Sequence, residues 1–204
     1  MYGAMIVGIE PPKFEGAYSI WKAAEVYRDA ASLLYKRMQA TIASYDLQFL
    51  LVQPCIVLEA FSIELYLKCL YQIENNKQAN KIHNLKDLFI LLTDVRKERL
   101  RLVYDTMCKN SNDLNFIRKS IPDINIELDY ILELMSHTFQ EFRYSYDSNI
   151  KLKGYYCLGE FQEALRTVIL ELNPEWKILV ATGNIGEHDA EFKQANESTT
   201  KIIS

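Results

Sequence analysis

Glycine, proline and histidine are scarce in this chain, with 7, 5 and 3 copies among 204 residues. Glycine and proline supply most tight turns, and an all-β domain of this length would need many more of them. No H-x-x-x-H, H-E-x-x-H or Cys/His cluster occurs, so the sequence predicts neither a metal site nor a bound cofactor. The shortage of turn residues favours an all-α fold.

Paired cysteines and long apolar runs are also missing. The four cysteines, Cys55, Cys69, Cys108 and Cys157, are far apart and form no C-x-x-C pair, which indicates reduced thiols in the core. The N-terminal segment lacks a basic region before its apolar residues, and no stretch offers about 18 uninterrupted apolar residues. We therefore expect a cytoplasmic protein without a transmembrane helix.

The charge balance limits the classes of partner. A net charge of −4 and a pI near 5.5 exclude a protein that coats nucleic acid through its overall field. A local basic strip remains compatible with these values. The chain also contains no P-loop, no G-x-G-x-x-G and no G-x-S-x-G, so the common nucleotide and hydrolase motifs are absent.

Apolar residues at spacings of three and four predict an up-and-down bundle of about five to six helices. The first predicted helix is 17–44, and the second follows an N-cap at Asp46 and contains Pro54. A short helix capped by Asn84 and a charged helix from Asp94 come next. A long helix from Asp123, with Tyr130 inward, and a helix over 156–172 complete the prediction. Residues 111–122 are predicted to be a break in which "NDLNFIRKS" forms at most one helical turn. The expected organisation is an N-terminal arm over 1–15, a bundle over 16–179 and a flexible polar tail over 180–204.

The stretch "AFSIELYLKCL" places Glu64 and Lys68 inside an otherwise apolar helix, at i and i+4. Glutamate on the N-terminal side is the favourable orientation for a helical ion pair. His83 immediately precedes the Asn84 cap, where an imidazole can reach a carboxylate. We interpret these three residues as a polar lock between two helices; the alternative is that the same charges face a nucleotide or RNA pocket.

The helix "LEAFSIELYLKCLY", a loop of about ten residues, "HNLKDLF" and the later "FQEFRYSYD" together resemble the HEPN superfamily of all-helical domains. The similarity covers roughly residues 17 to 175. The resemblance implies a bundle that is frequently homodimeric, in a family of RNA-cleaving toxins, toxin–antitoxin and antiphage effectors, and non-catalytic RNA- or nucleotide-binding accessories. It also implies a bacterial stress or defence setting.

The chain departs from the ribonucleases of that family, which carry R-x(4–6)-H late in the bundle. No arginine stands five to seven residues before any histidine; instead His137 precedes Arg143 in "HTFQEFR". If RNA is cleaved, the expected chemistry is metal-independent, with attack by a 2′-hydroxyl, a general base and an arginine that stabilises the phosphorane. His137 and Arg143 are the candidate catalytic pair.

Candidate RNA contacts surround Arg143, whose planar guanidinium suits a phosphate, beside Tyr144 and Tyr146, which could stack on bases. Two further readings of this segment stay open: Arg143 pairs with Glu64, or it forms a lock with Asp147 on one helical face.

The run "RKERLRL", with Arg96 and Arg99, is either a solvated helix face or the approach for RNA. The alternative function is that of a non-catalytic interaction protein that holds a protein partner through its helical surface and C-terminal tail.

Overall fold

The computed structural model describes residues 16–40, 45–79, 81–136 and 158–177, with backbone alone for 45–50. In these ranges the chain forms no strand and the following helices: α1 (Ala17–Ala40), α2 (Tyr45–Asn75), α3 (Leu85–Ile90), α4 (Asp94–Asn110), α5 (Asn112–Ser120), α6 (Leu128–Met135) and α7 (Leu158–Leu172). The predicted all-α class is confirmed. The predicted arm over 1–15 and tail over 180–204 lie outside the described residues.

The chain divides into two compact units, Met1–Ile169 and Leu170–Ser204. The packing of α1 to α6, and of α7 as far as Ile169, belongs to the first unit. In the second unit the described residues are the end of α7 and the segment 173–177, in which Trp176 N donates to Asn173 O at 3.1 Å. As predicted, α7 ends at Leu172, before Asn173 and Pro174, whereas its predicted start at 156 lies outside the described residues.

Helices α1 and α2 form an antiparallel pair. Three α2 side chains donate to α1 carbonyls at 3.3, 3.0 and 3.5 Å: Cys69 to Ala17, Ser62 to Ala24 and Cys55 to Ala31. The residue numbers of the α1 acceptors rise from Ala17 to Ala31 while those of the α2 donors fall from Cys69 to Cys55, so the two helices run in opposite directions. Both thiols are buried and free, as expected for core cysteines.

Helix α7 runs antiparallel to α1 and joins it to the middle helices. The ring of Phe161 in α7 packs edge-to-face against the rings of Phe89 in α3 and Tyr104 in α4. The ring centroids are 6.5 Å apart in the first pair and 6.0 Å apart in the second. All three rings are at most 2% exposed. Edge-to-face aromatic contacts add to the burial of such large side chains, so Phe161 is a central contact of the core.

The ends of α2 and α3 show which capping predictions hold. Asn84 caps α3, and its side chain accepts from Asp87 N at 3.0 Å, as predicted. The cap predicted at Asp46 is wrong, because α2 already begins at Tyr45; Pro54 lies inside this helix. At the other end, Asn76 takes a positive φ of 50° and its amide donates to Gln72 O at 2.8 Å, closing α2 with a left-handed residue.

Two predictions between α4 and α6 are wrong. The segment 111–122, predicted to be a break with at most one helical turn, contains the nine-residue helix α5, whose N-cap Ser111 accepts from Leu114 N at 3.2 Å. The helix predicted from Asp123 begins only at Leu128, because the Asn125 side chain accepts from Glu127 N and the Ile126 carbonyl accepts from Tyr104.

This later start changes the buried face of α6. The buried side chains are Leu128, Ile131, Leu132 and Met135. Tyr130, expected inward, is 43% exposed.

Candidate functional site

Glu64, Lys68 and His83 meet at one carboxylate oxygen. Lys68 Nζ donates to Glu64 Oε1 at 2.7 Å, and His83 Nδ1 lies 3.0 Å from the same atom. The Glu64 side chain is 3% exposed and that of Lys68 is 11% exposed, whereas the imidazole of His83 is 58% exposed. The charged pair is therefore part of the core, and the histidine closes it from the solvent side.

This contact, which we call the polar lock, connects α2 to the entrance of α3. His83 stands directly before the Asn84 cap, and Leu85 and Leu88 of α3 are buried. The ion pair itself lies within α2 and supplies the compensating charge that the buried carboxylate needs. The contact of His83 with Glu64 and the apolar contacts of α3 then fix the position of this helix.

A second buried network, absent from the sequence predictions, centres on Glu25 of α1. Tyr66 donates its hydroxyl to Glu25 Oε1 at 2.5 Å, and Arg166 Nε lies 3.0 and 3.2 Å from the two carboxylate oxygens. Arg28 Nη2 is 3.4 Å from Glu25 Oε2. Burial, and next the neighbouring carboxylate, raise the pKa of Tyr66, so its hydroxyl remains a donor. One glutamate thus joins α1, α2 and α7.

The first basic residue of the α4 run, Arg96, is held by an acceptor inside the chain. Its Nε donates to Glu74 Oε1 at 3.1 Å, and Glu74 also accepts from Thr93 Oγ1 at 2.7 Å and from Thr93 N at 3.1 Å. Thr93 is in turn the N-cap of α4. Arg96 therefore ties the start of α4 to the end of α2. Arg99, farther along α4, is partly exposed.

Two other cations of this run have carboxylate partners as well. Lys97 Nζ lies 2.8 Å from Asp94 Oδ1. Arg101 Nη2 lies 2.9 and 3.1 Å from the carboxylate oxygens of Asp129, and its guanidinium stands 5.2 Å from the centre of the Phe89 ring. The basic run is therefore largely charge-compensated within the chain.

The five remaining candidate residues fall in the segment between α6 and α7, outside the described residues: His137, Arg143, Tyr144, Tyr146 and Asp147. The catalytic pair, the proposed base-stacking tyrosines and the proposed Arg143–Asp147 lock therefore remain predictions.

A groove of about 810 Å³ opens between α1, α2, α5 and α7. Its charged lining consists of Arg28 and five carboxylates, Asp29, Glu59, Asp113, Glu160 and Glu163. We call it the acidic groove. Burial, and next the charge of Glu160, raise the pKa of Glu59 to about 7. No local sequence pattern predicts the acidic groove, because its carboxylates come from four separate segments.

Across the described ranges, no group of three or more His, Cys, Asp or Glu side chains is placed to hold a metal ion. Within the same residues, no helix combines the length and the apolar character needed to cross a membrane.

Comparison with known proteins gives no relative: no family model, no curated protein and no solved structure matches the chain. The resemblance to the HEPN superfamily therefore depends on the residues quoted for it.

Proposed function

We propose that the chain is a HEPN-like module that binds RNA or a nucleotide, in a bacterial stress or antiphage-defence setting, and that it acts as a homodimer. One observation carries the proposal. The two motifs of the resemblance, E-x-x-x-K on α2 and H-x-L-x-x-L at the head of α3, are joined by a single contact in which Lys68 and His83 share Glu64 Oε1.

We propose binding, and not cleavage, as the main activity. The chain lacks the R-x(4–6)-H motif, and a phosphate would have to compete with Glu74 for Arg96. The proposed contacts are Arg143, Tyr144 and Tyr146, with Arg96 and Arg99 as secondary contacts on α4. An arginine fork with adjacent aromatic rings is a combination that single-stranded RNA-binding sites use.

The test measures binding of a labelled single-stranded RNA as a function of salt, in the presence of a chelator, with gel analysis of the same samples for cleavage. We expect Arg143→Ala to weaken binding and to lower the slope of log affinity against log salt by about 1. His137→Ala should abolish any cleavage and leave binding in place. Lys36→Ala, an exposed lysine of α1, is the matched control for lost positive charge.

Two outcomes would contradict the proposal: no salt-sensitive binding by the wild-type protein, or Arg143→Ala and Lys36→Ala variants with equal affinity. Thermal melting of each variant separates a lost contact from a lost fold, since a functional arginine leaves the melting temperature nearly unchanged. Sedimentation velocity in the same buffer tests the homodimer.

A second candidate, a non-catalytic interaction protein, is favoured by the charge compensation of α4. Arg96, Lys97 and Arg101 each have a carboxylate partner, which lowers the positive field available to RNA. If the RNA experiment fails and Arg143→Ala lowers stability instead, the arginine is a structural residue and this second function is the better account.

A further inference from the structure

The outer face of α1 carries an apolar stripe that faces solvent. Val26 is 63% exposed, and Leu33, two turns farther along the helix, is 67% exposed. Ala23 and Ala30, both partly exposed, stand at the intervening positions. These four residues, which we call the α1 stripe, lie on the side of the helix opposite its buried residues. A single exposed apolar side chain is ordinary, but a stripe of them along one helical face marks a contact surface.

The α1 stripe has the spacing of a coiled-coil seam. Ala23 and Ala30 occupy the a positions of a heptad, and Val26 and Leu33 occupy the d positions. In a parallel helix pair, alanine would face alanine and leave a gap between the layers of larger side chains. In an antiparallel pair each a residue faces a d residue, so that Leu33 packs against an alanine and the contact fills evenly. The alternation of small and large residues therefore favours an antiparallel partner.

One antiparallel register uses a second copy of α1 as that partner. Ala30 of each copy packs against Leu33 of the other, and a two-fold axis relates the two contacts. In the next layer outward, Val26 meets Arg37 of the second copy, and arginine methylenes cover apolar side chains well. The stripe is thus complementary to itself.

Charges on one flank of the stripe fit the same register. Asp29 and Lys36 are one heptad apart, and each stands directly before an a position. With Ala30 against Leu33 of the second copy, Asp29 of each copy lies beside Lys36 of the other, so symmetry gives two ion pairs. Arg28 contacts Oδ1 of Asp29 at 2.9 and 3.3 Å, which leaves Oδ2 as an acceptor. Lys36 is exposed and has no ion-pair partner among the described residues.

The opposite flank is apolar in this register. Tyr27 of each copy comes beside Leu34 of the other, and both residues are partly exposed in the single chain. Tyr27 also packs edge-on against Phe61 of α2, with ring centroids 4.5 Å apart. The apolar contact therefore extends from the stripe to the side of the helix that α2 supports.

We propose that α1 is the dimer interface of this protein and that it packs antiparallel against α1 of a second copy, with the two-fold axis at the level of residues 31 and 32. The contact spans residues 23–40, about five turns or 27 Å. Such a contact is at the small end of specific interfaces, so the dimer is reversible and of micromolar affinity. The inference rests on the homodimer in the function proposed above and adds its surface and geometry; it does not involve the RNA contacts.

The experiment is sedimentation velocity over chain concentrations of about 1–300 µM, a range that brackets micromolar dissociation constants. We expect a monomer–dimer equilibrium for the wild type. Leu33→Asp should weaken the dimer about a hundredfold or more, because symmetry places two uncompensated charges in the seam. Leu102→Asp, at a 59% exposed position of α4, is the matched control and should dimerise as the wild type does.

Charge reversal tests the register and the identity of the partner. Asp29→Lys brings two lysines together at each ion pair, and Lys36→Asp brings two aspartates together, so each variant alone should dimerise about tenfold or more weakly. An equimolar mixture of the two variants restores opposite charges at both pairs and should recover the wild-type affinity. Added salt should reduce the difference between the mixture and the separate variants.

The folding of each variant is followed by thermal melting. Asp29→Lys loses its bond to Arg28, so its melting temperature is the one expected to change. Recovery in the mixture requires both variants to be folded and therefore controls for this loss. Lys36→Ala removes a rim ion pair alone and should weaken the dimer about threefold or less.

Three results would overturn the proposal. A wild-type protein that stays monomeric up to about 300 µM would remove both this interface and the homodimer, whereas the RNA experiment would still test binding. A dimer that survives Leu33→Asp unchanged would place the interface elsewhere and leave the homodimer intact. A mixture of Asp29→Lys and Lys36→Asp no tighter than either variant alone would exclude the antiparallel register.

Discussion

Tyr66 of α2 donates its hydroxyl to Glu25 of α1 across 2.5 Å, with both residues buried. Arg166 of α7 approaches the same carboxylate from another helix, at 3.0 Å. Side chains from three helices therefore meet at one charged group, and the Glu25 carboxylate is satisfied there by two donors.

Replacing Tyr66 with Phe should lower the free energy of unfolding by about 1.5–3 kcal/mol, the range for a hydrogen bond to a charged group. The ring remains in place, so the change removes the hydroxyl alone. Urea denaturation at neutral pH measures the effect. Tyr130→Phe, at a 43% exposed position of α6, is the matched control and should change stability by less than about 0.5 kcal/mol. Equal effects at the two positions would refute the importance of the Glu25 network.

The polar lock predicts a large asymmetry between the two partners of Glu64. Lys68→Met leaves the Glu64 carboxylate, 3% exposed, without its ammonium partner, and should cost about 3–5 kcal/mol. His83→Ala removes a side chain that is 58% exposed, so it should cost less than about 1 kcal/mol. Denaturant midpoints of the two variants measure the difference directly.

Lys77→Met, at an exposed position after α2, controls for loss of a lysine. The double variant Glu64→Gln with Lys68→Met should recover part of the stability lost in Lys68→Met, because no unpaired charge is then buried. Failure of the double variant to recover any stability would contradict the account of the loss as an unpaired buried charge.

Stability should fall as pH rises through the titration of Glu59. Its pKa in the folded protein, about 7, is above the ordinary value of 4.5 because of burial and the neighbouring Glu160. The folded state therefore holds a proton that the unfolded state has already released between pH 4.5 and 7. The stability from this protonated group is fully present below pH 4.5 and is lost by about pH 7 to 8, a change of about 3 kcal/mol.

Urea midpoints at pH 5 and pH 8 measure this loss. Glu59→Gln should show a smaller decrease than the wild type and should be the more stable protein at pH 8. Glu98→Gln, at an exposed position, should retain the wild-type pH dependence. Parallel pH profiles for wild type and Glu59→Gln would rule out Glu59 as the titrating group.

The long helices were predictable because local patterns carry them. Apolar spacing indicated α1, α2 and α7, and Asn84 followed by Asp87 indicated the start of α3. The nine residues of α5 give about two and a half turns, too few for a periodic pattern to stand out. The start of α6 depends on the hydroxyl of Tyr104 reaching the Ile126 carbonyl, a tertiary contact that outweighs the helical pattern from Asp123.

The same distinction applies to polar sites. Glu64 and Lys68 are one turn apart, so their pairing could be read from spacing, and His83 stands at a recognisable cap. Glu25 and Arg166 are separated by 141 positions, and no local pattern links them. The acidic groove is likewise assembled by the packing of four helices, so only the three-dimensional structure brings Glu59 and Gln162 to one surface.

Two glycines should respond oppositely to substitution by alanine. Gly159 lies in the first turn of α7, and an added Cβ meets nothing within 4 Å, so Gly159→Ala should raise stability by about 0.5–1 kcal/mol through reduced freedom of the unfolded chain. Gly16 precedes α1 with φ +78°, where a Cβ is strained, so Gly16→Ala should lower stability by about 1–2 kcal/mol. Thermal melting of both variants measures the signs. A destabilised Gly159→Ala would mean that a chain segment or bound molecule fills the space beside this residue.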